Sequence, residues 1–168
     1  MKGTITYLYI LTALMLLHLY NANYCQSNDI PAYEITKMIE SSRSGDVESS
    51  FSLGYVYANG LSGQTNYKLA LEYYLKALDL AISSSSAGNT GIIIYLNTRI
   101  GHIYFEKKKY SQAIEYLESA VKMSPQNVEV AYYLGLSYDK IGEKEKAREF
   151  LSRVIELAPQ SEFAQEAE

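Results

Sequence analysis

Few residues in this chain could carry out covalent chemistry. Imidazole and thiol groups come from only three positions, His18, His102 and Cys25. Any Ser-His-Asp set would have to recruit one of the two histidines, and nothing near His102 suggests a nucleophile elbow. Cysteine and histidine together give too few ligands for a zinc site, and one cysteine cannot form a disulfide within the chain. The stretch "YANGLSG" (57–63) has glycines but lacks the Lys-Ser/Thr that completes a phosphate loop. Glu115 and Glu118 belong on the outer face of a helix, where carboxylates are solvated. The only basic cluster, Lys107, Lys108 and Lys109, reads as a solvated turn, and a net charge of −4 gives no reason to expect nucleic acid. The sequence therefore predicts no enzyme, no metal and no cofactor.

The chemistry that is abundant is that of contact. There are 17 tyrosines and no tryptophan. Tyrosine couples a large apolar ring to a hydroxyl at low entropic cost, which suits recognition of a peptide. With 168 residues, 48% of them hydrophobic, the chain can form one domain with a core to position these rings.

The positioning elements show in a repeat. "IGHIYFEKKKYSQAIEYLESAVKMSPQN" from Ile100 can be laid over "LGLSYDKIGEKEKAREFLSRVIELAPQS" from Leu134. Gly101 and Gly135, Tyr104 and Tyr138, Ala113 and Ala147, Leu117 and Leu151, and Pro125 and Pro159 are each 34 residues apart. A fixed interval over a whole unit marks a stacked array. Ile100, Ile103 and Tyr104 follow helical spacing, as do Ala113, Leu117, Ala120 and Val121, so each unit is a helical hairpin with a polar turn. Glycine inside a helix costs roughly 1 kcal/mol against alanine, which close packing of two helices would offset. Gly101 is expected to face Ala113, and Gly135 to face Ala147, with Tyr104 and Tyr138 as wedges one turn further on. Pro125 and Pro159 stop the second helix, and Asn127 and Ser161 are expected to cap the next.

This pattern resembles the tetratricopeptide repeat. Its Leu-Gly-x-x-Tyr, Ala, large residue, Ala, Pro order is met by Ile100-Gly101, Tyr104, Ala113, Leu117, Ala120 and Pro125. It is met again by Leu134-Gly135, Tyr138, Ala147, Leu151, Val154 and Pro159. Asn97 and Ala131 stand at the usual tryptophan position, and Val154 replaces the second Ala. The preceding segment resembles a Sel1-like repeat through Gly45, Leu53-Gly54, Tyr57, Gly60, Ala70, Tyr73-Tyr74 and Lys76-Ala77. Asn66 stands where that family has Asp, and Ser62-Gly63 where it has Gly-Val. The resemblance implies an all-α solenoid of TPR and Sel1-like hairpins whose first helices line a concave face. On that register the inward residues are Phe51, Tyr55 and Asn59, then Tyr95, Thr98, Arg99, His102, Phe105 and Glu106. The last hairpin adds Glu129, Tyr132, Tyr133, Leu136, Asp139 and Lys140. Ten of these, Phe51, Tyr55, Tyr95, Arg99, His102, Phe105, Tyr132, Tyr133, Leu136 and Lys140, are the expected contacts for a protein or peptide partner. Tyr57 is expected to be a core wedge like Tyr104 and Tyr138. The Lys and Asn clamp with which some relatives hold a chaperone's C-terminal carboxylate is absent; Thr98, Arg99, His102, Tyr132, Tyr133 and Leu136 occupy those positions.

The N-terminus reads as an address. Lys2 precedes an apolar run from Ile5 to Tyr20, with no acidic residue before Asp29, as in a secretory signal peptide. An uncleaved anchor is the alternative, and it would be the sole membrane contact. Tyr24 before Cys25 argues against a lipoprotein. The expected organisation is a leader at 1–25, a capping helix at 30–44, a Sel1-like hairpin at 45–82 and a serine-rich linker at 83–91. Tetratricopeptide hairpins follow at 92–126 and 127–160, then a capping helix at 161–168. The expected role is an exported, non-enzymatic adaptor or assembly factor. The ending "LAPQSEFAQEAE" resembles that of bacterial envelope tetratricopeptide proteins. A Sel1-like quality-control adaptor, ER-lumenal or membrane-tethered, and a self-associating structural protein with the groove buried in an oligomer, are the alternatives.

Overall fold

A computed structural model describes residues 29–84 and 89–167. The expected leader lies outside them. Eight helices are present among the described residues. They are α1 (Ala32–Arg43), α2 (Val47–Ala58), α3 (Tyr67–Ser83), α4 (Thr90–Glu106), α5 (Tyr110–Met123), α6 (Val128–Lys140), α7 (Lys144–Leu157) and α8 (Glu162–Ala167). Three hairpins, α2/α3, α4/α5 and α6/α7, stack side by side; α1 packs on α2 and α8 on α7. No described helix is long and apolar enough to cross a membrane.

Local chemistry sets the ends of the helices. Asp46, Asn66 and Asn127 each accept a hydrogen bond from the backbone N–H three residues on, at 2.8, 3.1 and 3.1 Å. Ser161 does the same for Ala164 at 3.2 Å. These side chains satisfy N–H groups that have no partner inside the helix. Asn66 thus supplies the cap that an Asp would. At the other end, α1, α2, α4 and α6 close identically. A left-handed residue follows each helix: Gly45, Gly60, Lys108 or Gly142. The next residue's N–H then reaches back five positions, as in Asp46 to Ser41, Leu61 to Val56, Lys109 to Tyr104 and Glu143 to Tyr138. This is a Schellman closure, which favours glycine. Lys108 alone adopts it with a side chain, at φ 57°.

The hairpins close over glycines, with a leucine of the second helix nearest each of the two repeat glycines. A Cβ on Gly101 would lie 2.6 Å from Leu117 Cγ, and one on Gly135 would lie 2.8 Å from Leu151 Cγ. Ala113 meets Gly101 through its carbonyl oxygen, 3.3 Å from that Cβ position, and Leu151 supplies the nearest atoms to Gly135. The branched leucine thus fills the glycine's notch. In the first hairpin the same notch is filled by a ring, since a Cβ on Gly54 would sit 2.2 Å from Tyr74 Cδ1. Next to the turns, Tyr57 stacks on Tyr73, Tyr104 on Tyr116 and Tyr138 on Phe150, with centroids 5.7, 5.6 and 5.9 Å apart. Tyr138 is buried as a wedge should be, and it donates to Glu118 at 2.5 Å. Tyr57 and Tyr104, expected as core wedges too, are only half-buried.

The core runs the length of the stack. Ala70, Tyr74, Ala77 and Leu78 pack with Leu96, Ile100 and Ile103, so the serine-rich stretch joins two hairpins that share one core. Asn89 reinforces the join by donating to Ala81 O and Ser84 Oγ. Leu117, Val130 and Leu134 continue the core, and Ala131, Tyr132, Val154 and Ala164 end it.

Two outcomes follow. Gly135→Leu, which drives a side chain into Leu151, is expected to lower stability by about 3 kcal/mol, at the top of the overpacking range; a thermal melt checks this, and an unshifted midpoint would contradict the crossing. Lys108→Gly relieves a left-handed side chain and is expected to raise stability by about 0.5–1 kcal/mol in urea titration.

Candidate peptide-binding face

The first helices, α2, α4, α6 and the short α8, lie in succession and are bridged by rings. Phe51 of α2 meets Tyr95 of α4 at 5.1 Å. His102 and Phe105 of α4 both meet Tyr133 of α6, at 4.4 and 5.4 Å. Tyr132 of α6 meets Phe163 of α8 at 5.0 Å. Helical spacing aims these residues to one side of their helices, and rings are long enough to touch across the gap. Arg99 belongs to the same surface, with its guanidinium carbon 5.1 Å from the Tyr95 ring centre and its Nη1 3.1 Å from Glu129.

The open part of this face is a pocket of about 290 Å³ between α2, α3 and α4, lined among others by Tyr55, Asn59, Tyr67, Tyr95, Arg99 and His102. That volume sits at the lower end for ligand sites and suits one side chain. Tyr74 closes it from α3. Two polar atoms there, Tyr74 Oη and Arg99 Nε, are buried without a hydrogen-bond partner. Tyr95 lies near enough to perturb both groups, yet its hydroxyl makes no bond of proper length and angle with either atom. An unpaired buried donor costs roughly 1–3 kcal/mol.

Of the ten expected contacts, Tyr55, Tyr95, Arg99 and His102 come together in the pocket. Phe51 supports Tyr95 from below the surface, and Phe105 and Tyr133 continue the face toward α6. Tyr132 and Leu136 are not free groove residues. Tyr132 is 7% exposed, donates to the Glu166 carboxylate, and packs with Val154 and Ala164. Leu136 packs against the same cluster. The physical reason is α8, which lies over them with Phe163 and Ala164. Lys140 sits at the far end of α6, exposed, with its ammonium 3.9 Å from Asp139. Tyr67 and Tyr74 were missed because the register assigns the concave face to first helices, whereas both belong to α3. The signal was present: Tyr74 occupies the place that Leu117 and Leu151 hold in the other hairpins.

His102 is the titratable group of the face. Burial pushes its pKa below the ordinary value near 6.5, against the opposing pull of Glu106, whose carboxylate is 3.6 Å away. The unfolded chain therefore takes up this proton first. Stability is expected to fall as pH drops below about 6.5, and the His102→Gln variant should lose that part of the pH dependence; paired urea titrations across pH 5 to 8 check it.

Comparison with known proteins agrees with this geometry. Residues 104–166 match the family model described as tetratricopeptide repeat. The TPR repeat-containing protein MJ1428 of Methanocaldococcus jannaschii is 30% identical over 100 residues, 60% of this chain and 17% of that protein. The chain spans less than a fifth of the length of the curated relatives it matches. Among solved structures, MamA residues 41 to the end from Desulfovibrio magneticus RS-1 superposes with a TM-score of 0.67 at 23% identity, covering 90% of this chain and 80% of that one. The first TPR of Spaghetti (RPAP3), bound to the HSP90 peptide SRMEEVD, superposes at 0.58 with 21% identity, covering 71% and 85%. Residues 104–166 are thus similar to the tetratricopeptide repeat, within an all-α array of helical hairpins that shares the architecture of the solved structures.

Proposed function

We propose that the chain binds a protein or peptide partner along its concave aromatic face, as an adaptor or assembly factor with no chemistry of its own. The observation that carries this reading is the run of rings from Phe51 to Tyr133 that opens at Tyr55, Tyr95, Arg99 and His102 into a side-chain-sized pocket. Aromatic anchors with one arginine are the residue types that dominate binding energy at interfaces. The peptide held by the first TPR of Spaghetti (RPAP3) supports the same use of the fold. The partner differs in kind, because Thr98, Arg99, His102 and Tyr133 stand here instead of a Lys and Asn carboxylate clamp.

The first hairpin is read as Sel1-like, on the strength of its longer turn and its Tyr73-Tyr74 pair. The apolar run from Ile5 to Tyr20 supports export, and the ending of the chain supports a bacterial envelope as the destination.

Crosslinking and mass spectrometry on the native source tests the proposal. Tyr55→Ala with Tyr95→Ala is expected to cut partner recovery about ten-fold, the effect of losing an anchor worth more than 1 kcal/mol, while helicity by circular dichroism is unchanged. Ile82→Ala, on an exposed position of α3, should leave recovery intact. Recovery unaffected by the double change, or a stable oligomer that buries these two tyrosines, would overturn the proposal.

A further inference from the structure

We infer that the pocket between α2, α3 and α4 receives an uncharged amide group, with the amide carbonyl oxygen accepting from Tyr74 Oη and Arg99 Nε. The inference deepens the concave-face reading and rests on it. Both atoms are donors, both are buried, and both lack partners. They come from different helices that meet at one pocket. Asn59, on the same wall, donates its Nδ2 to Tyr55 O at 2.8 Å, which leaves its Oδ1 to accept an amide N–H. Donors on one side and an acceptor on another match an amide, which has both a carbonyl and an N–H.

Charge excludes the obvious competitor. The Arg99 guanidinium already pairs with Glu129 at 3.1 Å, and Glu106 lies beside His102. A carboxylate entering the pocket would find the Arg99 guanidinium already matched by Glu129. An amide takes the same hydrogen bonds without needing a free cation. The Tyr55 and Tyr67 rings suit the flat faces of an amide, and about 290 Å³ holds one such side chain.

Tyr74 gives the argument its specificity. Packing against Gly54 needs only a ring, and the equivalent places in the other hairpins are filled by Leu117 and Leu151. The hydroxyl is thus not required by the fold. The ligand reaches the two donors when the Tyr95 ring, which lies against Arg99, swings aside.

The source of the amide is a glutamine or asparagine side chain or a main-chain peptide group, and one experiment separates these. The full chain is used to select from a display library of random linear peptides, and a selected peptide is then titrated calorimetrically. A side-chain source predicts a shared Gln or Asn, with affinity falling roughly ten-fold on Gln→Leu and again on Gln→Glu. A main-chain source predicts no shared residue but the same loss on N-methylation of one peptide bond. In both cases Tyr74→Phe is expected to weaken binding by about the same factor while its melting temperature stays equal or rises, since an unpaired buried hydroxyl is removed. Peptides that lose affinity to Tyr55→Ala but ignore Tyr74→Phe would overturn the amide site and leave the concave-face reading standing. A selected Glu or Asp in the pocket would overturn it too. Failure to select any peptide would overturn both.

Discussion

The structure depends on how closely two helices can approach at one point in each hairpin. Gly54, Gly101 and Gly135 create that point, and a single large side chain from the partner helix fills each notch. Interiors pack at crystal-like density, so the notch and its plug fix the crossing to within a few tenths of an ångström. The crossing fixes how each first helix sits on its second helix, and so which side chains it turns away from the hairpin. The outward rings of the first helices then meet across the gaps as a continuous surface. The aromatic face is therefore carried by helices alone and needs no loop to assemble it.

Three hairpins obey one plan and differ in one residue type at the notch. Leucine fills the notch in two of them, Leu117 fully buried and Leu151 partly so. Tyrosine in the first passes through the core and brings a hydroxyl to the other side. Placing a polar atom at the end of a rigid, fully packed side chain is a sound way to hold a donor still, because the ring that carries it has no freedom to move.

Much of this was legible in the sequence, for reasons that can be named. The interval of 34 between Gly101 and Gly135 and between Pro125 and Pro159 gave the hairpins, because the repeat must restore the same packing in each unit. Asn127 and Ser161 announced helix starts, since a cap is a local device with a local signal. Small residues at Ala113 and Ala147 suggested the crossing, and Leu117 and Leu151 supply the atoms nearest the two glycines, because a branched side chain reaches further. Tyr132 and Leu136 were placed on the open face by register alone. Their cover, α8, is too short for its periodicity to say where it docks. Tyr74 escaped because one sequence shows that a tyrosine is apolar enough for a core, not that its hydroxyl will lack a partner there.

The ring-to-ring contacts between successive first helices have a mechanical meaning. In a stack where each unit touches only its neighbours, bending strain concentrates in the joints. Here those joints are spaced on one side by aromatic rings such as Tyr133, wedged between His102, Phe105 and Phe163. The thickness of a ring thus sets the radius of the coil. A thinner side chain at Tyr133 would tighten the arc and a bulkier one would straighten it, with the helices themselves unchanged.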